Sequence, residues 1–251
     1  MSEYSLKRFA NRCLKLECKV AQYYRLFFKD LLPSHLHQVI IGLLLSDGSI
    51  ERPSKTGAAR LCATLGFITR EAPYLMHLYN LFEPYTDSGI TVVQVKNNST
   101  NKVYDTVRFK TAMIPVFVNY HSMFYTWDKD KKRYVKIVPL DIENLMTPVV
   151  LAHLIMGDGN LKKGDNIIRV YTNSFTKTEV EKLASAITVK LGIVAKATYD
   201  RNGQFMISIS KSQINKVMFL IGPHMHPSML YKLGIVNGKR EFEYSSILDE
   251  I

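Results

Sequence analysis

Two aspartates stand where chemistry is most easily read into this chain. Asp47 closes the phrase Ile40-Ile41-Gly42-Leu43-Leu44-Leu45-Ser46-Asp47-Gly48, and Asp158 closes Leu151-Ala152-His153-Leu154-Ile155-Met156-Gly157-Asp158-Gly159. Positions 47 and 158 are 111 residues apart, in matching contexts. Glycine suits the end of a helix. An acid just before it does not, because the helix dipole already places partial negative charge there. Small residues near both ends (Gly42, Ser46, Ala152, Gly157) would let two such helices pack closely at a pseudo-dyad and bring both carboxylates to one place. Paired carboxylates repel. A divalent cation removes the repulsion, and hard oxygen ligands with open positions suit Mg²⁺.

The elements that would position these acids recur with the same period. In the first half, a helix opens at Pro33-Ser34, with Ser34 as its cap, and runs into Asp47. Alternating stretches on either side of Pro53 to Gly57 read as a strand pair, and a helix from about Thr69 reaches Phe82. A second hairpin spans Ile90 to Lys110, and a helix from Ala112 to about His121 closes the half. In the second half, Thr147-Pro148 reads as helix cap and first helical residue. Strands follow at Asn160–Leu161 and Ile167–Asn173, then a helix to Leu191 stopped by Gly192. A hairpin turns at Asn202-Gly203, and helices cover 211–221 and 227–233. The expected fold class is α+β: two pseudo-symmetric αββαββα halves, each with a four-stranded antiparallel saddle sheet, packed through the two motif helices. The units read as a basic helical extension over 1–33, a first half over 34–127, a charged connector over 128–141, a second half over 142–236 and a tail over 237–251.

Charge names the partner class. Lys and Arg total 33 against 22 acids, a formal net charge of +11, which points to a polyanion. The strands and turns concentrate that charge and its amide companions: Arg52, Lys55, Arg60, Lys96, Asn98, Lys102 and Arg108 in the first half, and Lys162, Lys163, Arg169, Tyr171, Asn173, Lys196, Arg201 and Gln204 in the second. One face of each sheet would rest on helices and leave the other for a duplex. Paired carboxylates with Mg²⁺ in a basic saddle describe a phosphodiesterase acting on both strands. Three cysteines, Cys13, Cys18 and Cys62, are too few and too scattered for a disulfide scaffold or a sulfur metal site. No apolar run reaches about 18 residues, so no membrane span is expected. No secretory signal is visible, and Leu6 to Phe28 reads either as a transit-peptide mimic or as a structural extension.

With these residues in view, the sequence resembles the LAGLIDADG homing endonucleases in their single-chain, two-motif form, and among them the subgroup typified by the mitochondrial omega-intron endonuclease. The resemblance covers about residues 34–236 and is strongest in Lys136-Ile137-Val138-Pro139, Leu145-Met146-Thr147-Pro148, Thr172-Asn173-Ser174-Phe175-Thr176 and Met229-Leu230-Tyr231-Lys232-Leu233, beside the second phrase itself. It implies that Asp47 and Asp158 bind Mg²⁺ (or Mn²⁺), each serving cleavage of one strand, with the carbonyls of Ser46 and Gly157 assisting. It further implies that Lys136 and Lys232 stabilise charge or activate water near the scissile phosphate. Leu45 and Met156 replace the motif's first acid, Ile41 stands where the motif has Ala, and His153 stands where it has Gly. His153 reads as a core residue.

The function expected from residues and resemblance together is a monomeric, site-specific double-strand DNA endonuclease of intron homing. It would act on a long nonpalindromic target and be located in the mitochondrion by family resemblance. The alternative is an intron maturase or another organellar RNA-binding protein built on the same fold, without cleavage, for which intron RNA is the partner.

Overall fold

The computed structural model describes residues 32–54, 56–66, 71–96, 101–162, 164–236 and 239–240. The extension before Leu32 with Cys13 and Cys18, the three side chains of Lys55, Asn98 and Lys163, and most of the tail lie outside the described residues.

The first half runs α1 (Ser34–Leu44), β1 (Gly48–Glu51), β2 (Arg60–Gly66), α2 (Ala72–Phe82), β3 (Thr91–Lys96), β4 (Val103–Lys110) and α3 (Val116–Phe124). A short ribbon of β5 (Tyr125–Asp128) and β6 (Arg133–Lys136) and the turn-length helix α4 (Ile142–Leu145) lead to the second half. There follow α5 (Pro148–Asp158), β7 (Gly159–Lys162), β8 (Ile167–Tyr171), α6 (Lys177–Leu191), β9 (Ala195–Tyr199), β10 (Phe205–Ile209) and α7 (Ile214–Ile221), with a 3-10 helix at Pro227–Leu233. The sheets have orders β1-β2-β4-β3 and β7-β8-β10-β9, antiparallel throughout. This is the α+β, two-sheet architecture that the duplicated pattern predicts. Among the described residues no helix is long and apolar enough to cross a membrane.

Local chemistry explains most boundaries. Thr147 caps α5, its hydroxyl accepting from Val150 N at 3.3 Å, and Pro148 occupies the first turn. Thr176 and Glu179 form a reciprocal capping box at the start of α6, which Gly192 ends in the left-handed conformation at φ 62°. Asn202 and Gly203, both at positive φ, turn β9 into β10. Three expectations need correction. Ser34 does not cap α1: the cap position is Pro33, which makes no side-chain bond, and Ser34 is the first helical residue. The third helix starts at Val116, not Ala112, because Thr111 and Ile114 are bridged to Thr86 and Ala59 and Pro115 sits at the cap. Strand pairing, which the charged connector over 128–141 did not suggest, joins Tyr125–Asp128 to Arg133–Lys136. Past Val236, Lys239–Arg240 also pairs back onto Ile235–Val236.

Helices α1 and α5 form the seam. Every residue from Val150 to Met156 is buried, as is every residue from Val39 to Leu44, so neither helix has a wet face over that stretch. Burying such aliphatic side chains contributes about 1.5–3 kcal/mol each. The approach is close because of glycine. A Cβ on Gly42 would sit 2.5 Å from His153 Cβ and 2.7 Å from the Val150 carbonyl oxygen, and one on Gly157 would sit 2.5 Å from Ser46 Cβ.

Candidate functional site

Asp158 is the last residue of α5 and Asp47 lies in the turn after α1, each one residue before the edge strand of its sheet. The seam that packs Gly157 against Ser46 also brings the Asp47 carboxylate within 3.2 Å of where a Gly157 Cβ would stand. Burial, and then the charge of Asp47, push the Asp158 carboxyl up to about 7, against the pull of Lys136 and Lys232. Solvent reaches Asp47 from one side, yet the packed helix ends around it desolvate its carboxyl enough to raise it, with Lys232 and Lys136 opposing.

Two lysines converge on this pair, Lys136 from the end of β6 and Lys232 from the 3-10 helix at Pro227–Leu233. Lys136 Nζ donates to the carbonyls of Ser46 (2.9 Å) and Gly48 (2.7 Å), on either side of Asp47. Lys232 Nζ donates to the carbonyl of Met156 (2.6 Å) and to that of Gly157, just before Asp158. Both ammoniums are lowered by burial, Lys136 to about 8, while both aspartates pull them back up. Lys232 is only 7% exposed. The four residues singled out as catalytic therefore meet at one place. The carbonyls of Ser46 and Gly157 meet there too, already accepting from the lysines. A carbonyl oxygen has a second lone pair, so neither carbonyl is closed to a cation.

The donor set fits a small hard cation. Among the described residues no group of three or more His, Cys, Asp or Glu is placed to hold a metal. What these residues offer is two carboxylates, two carbonyls and open positions. Mg²⁺ is held in that way, by one or two carboxylates plus water and substrate phosphate.

One acid at the site has no counterpart in the sequence reading. Glu71, at the cap position of α2, is raised by burial and feels the charges of Lys232 and Asp47. In sequence it looks like any acid in a first helical turn.

The basic residues divide by strand parity. In the second sheet Lys162, Arg169, Tyr171 and Lys196 share the face turned away from the helices, with Asn160 opposite Arg169 and Ser208 between Arg169 and Lys196. Asn173 lies just past β8, Arg201 is exposed in the β9–β10 turn, and Gln204 closes that turn by donating to the Arg201 carbonyl at 2.8 Å. In the first sheet Arg60 and Arg108 share the free face, and the Nε of Arg108 is buried with no hydrogen-bond partner among the described residues. Lys96 is not with them: it pairs with Val103 and has the parity of Val107, whose side chain is in the core. Arg52 follows β1 and donates to the Gly57 carbonyl at 3.3 Å, and Lys102 is exposed before β4. Lys110 belongs on the free face and was missed. With Arg60 it grips Glu51, at 2.7 and 2.8 Å. Burial alone would raise the Glu51 carboxyl, but those two cations hold it below its ordinary value.

A profile described as the LAGLIDADG DNA endonuclease family matches residues 37–217. The chain belongs to that family. Among its relatives, the cytochrome b mRNA maturase bI2 of Saccharomyces cerevisiae is 26% identical over 199 residues, 78% of this chain but 46% of the yeast protein. The bI2 maturase of Debaryomyces hansenii is 28% identical over 82% of this chain and 76% of its own length. The DNA endonuclease I-ChuI of Chlamydomonas applanata is 26% identical over 78% of this chain and 92% of its own length. The homing endonuclease I-WcaI, solved bound to its DNA recognition sequence, superposes with a TM-score of 0.70 at 23% identity, over 80% of this chain and 87% of that one. The LAGLIDADG fold is thus found in both halves, and the sequence resemblance is borne out.

Proposed function

We propose that this LAGLIDADG chain is a site-specific double-strand DNA endonuclease of intron homing, working as a monomer in an organelle with Mg²⁺ or Mn²⁺. The observation that carries the reading is that two lysines, each anchored on backbone carbonyls beside one seam aspartate, place their charges within reach of both acids. Such a set offers an acid and a lysine for each strand of a duplex. Relatives named as a DNA endonuclease and an intron-encoded endonuclease agree with it.

In this reading Asp47 and Asp158 hold the divalent ions, assisted by the carbonyls of Ser46 and Gly157. A cation so held supplies a Lewis acid for phosphate oxygens and acidifies water. Lys136 and Lys232, anchored by the backbone beside the acids, stabilise the charge that builds on the scissile phosphate. The free faces of the two sheets lie on the duplex. Lys162, Arg169, Lys196, Arg60 and Arg108 meet phosphates and bases there, while Tyr171, Asn173, Gln204, Arg201, Arg52 and Lys102 extend the surface at strand ends and turns. Lys55, Asn98 and Lys163, outside the described residues, are part of the same proposal.

A second reading, an intron maturase that binds RNA without cutting DNA, is favoured by the two maturase relatives. Cleavage separates the two. Wild type, Asp47→Asn and Asp158→Asn are incubated with a library of intron-insertion-site duplexes and Mg²⁺, and strand-specific nicks are mapped. The nuclease reading expects each variant to lose one strand's nick. Tight intron-RNA binding by a wild type that cuts nothing would establish the maturase instead.

A further inference from the structure

The β5–β6 ribbon belongs to neither saddle sheet. We propose that it is a further DNA-contacting arm, laying the Trp127–Tyr134 ring pair against the sugar–phosphate backbone of the duplex beside the cut served by Lys136. The inference rests on the duplex binding proposed above.

Register carries the placement. Tyr125 pairs with Lys136 and Trp127 with Tyr134. Residues two apart on a strand share a face, so Trp127 and Tyr134 stand on the same face as Lys136, about 7 Å further from the seam. Lys136 on that face reaches the carbonyls beside Asp47. Tyr125 on the same face takes the Ile50 N–H at 3.0 Å, which ties the ribbon to β1. His121 stacks on Tyr125 at 5.0 Å and meets Tyr134 edge-on at 4.7 Å, so the base is rigid. Beyond it, Trp127 and Tyr134 meet edge to face at 5.2 Å and remain 48% and 39% exposed. Rings held this way offer a rigid apolar surface that can pack on deoxyribose.

Charge selects the partner. At the tip the Asp128 carboxylate is taken up locally, accepting from the N–H groups of Asp130 and Lys131 and pairing with the Lys131 ammonium. Lys129, Lys132 and Arg133 are exposed around it, against Asp130 alone. A ring pair flanked by surplus cations suits a phosphate backbone better than a protein surface.

Trp127 is the chain's sole tryptophan, so its fluorescence reports on this arm alone. The full chain is titrated with a short labelled duplex at low salt, with Ca²⁺ replacing Mg²⁺. Label anisotropy measures binding, and acrylamide quenching measures access to Trp127. Binding is expected to cut the quenching constant at least about twofold, and Trp127→Ala/Tyr134→Ala to weaken binding about tenfold. A second variant, Lys129→Gln/Lys132→Gln/Arg133→Gln, leaves the rings in place and should flatten the salt dependence of log K by roughly 2 to 3. Duplex binding with unchanged quenching and an unchanged salt slope overturns the arm and leaves the nuclease reading intact. Absence of any duplex binding removes both.

Discussion

The ammonium of Lys232 lies 2.6 Å from the carbonyl oxygen of Met156, two residues before Asp158. Lys136 repeats the arrangement at Ser46 and Gly48, around Asp47. Each lysine is therefore fixed by backbone next to an acid, and its placement does not depend on the acid's charge. Lys136→Met and Lys232→Met should each slow nicking of one strand by about 10²-fold or more. Each also leaves carbonyls unpaired, at about 1–3 kcal/mol where they are buried. Single-turnover nicking on separately labelled strands, with urea unfolding beside it, checks both effects. Equal slowing of the two strands would contradict the assignment.

Thermal melts of metal-free protein should show the acids and the lysine pulling in opposite directions. Asp158 keeps its proton up to about 7 when folded, whereas the unfolded chain releases it near 3.8. Stability is therefore lost as pH rises through that window. Lys136 loses its proton near 8 when folded but near 10.5 when unfolded, so stability rises with pH between those two values and is unaffected by this group below about 8. These two groups place a trough in Tm between about pH 7 and 8. Mg²⁺ should raise Tm more at pH 7.5 than at pH 5, because the acids must shed protons to bind it. Equal shifts at both values would remove the carboxylates as ligands.

Tyr74 of α2 and His153 of α5 form a buried neutral pair, with the phenol oxygen 2.7 Å from Nδ1. Burial, then the charges of His77 and His224, lower the imidazole to about 3, and burial raises the phenol well above its usual value. Tyr74→Phe strands the imidazole nitrogen. It should destabilise the fold by about 1–3 kcal/mol while leaving the Mg²⁺ concentration dependence of nicking unchanged. Urea midpoints and a metal titration test the two halves of that statement.

Glu51 holds Arg60 and Lys110 in ion pairs and so competes with phosphate for both cations. Glu51→Gln weakens that hold and should strengthen low-salt duplex binding, steepening the slope of log K against log salt by up to about 2. Filter binding across a salt series measures it. A flatter slope in the variant would mean that Glu51 instead positions the two cations for DNA.

Much of the site was legible because its parts carry local signatures. The repeated phrase, the Thr147-Pro148 start, the capping box at Thr176 and Glu179, and the Asn202-Gly203 turn each follow from short-range physics. Lys136 and Lys232 came only with the family resemblance, since a lysine's spacing does not announce a buried ammonium. The ribbon was hidden by its own charge. Six ionised residues from Asp128 to Arg133 read as a linker, although Tyr125-Thr126-Trp127 and Tyr134-Val135-Lys136 alternate on either side. Lys96 was grouped with Arg108 on composition, while register sends the two to opposite faces. The Glu51 cluster depends on pairing between β1, β2 and β4, which no single stretch encodes.

The seam has one more implication. Positions 42 and 153 are equivalent in the two phrases, as are 46 and 157, and in each couple glycine faces the larger residue. Two first halves would set Gly42 against Gly42 and Ser46 against Ser46; two second halves would crowd His153 against His153. The halves are thus tailored as unlike mates, each hollow where the other bulges. Mates so unlike cannot trade places, so the seam favours one half of each kind over two of either.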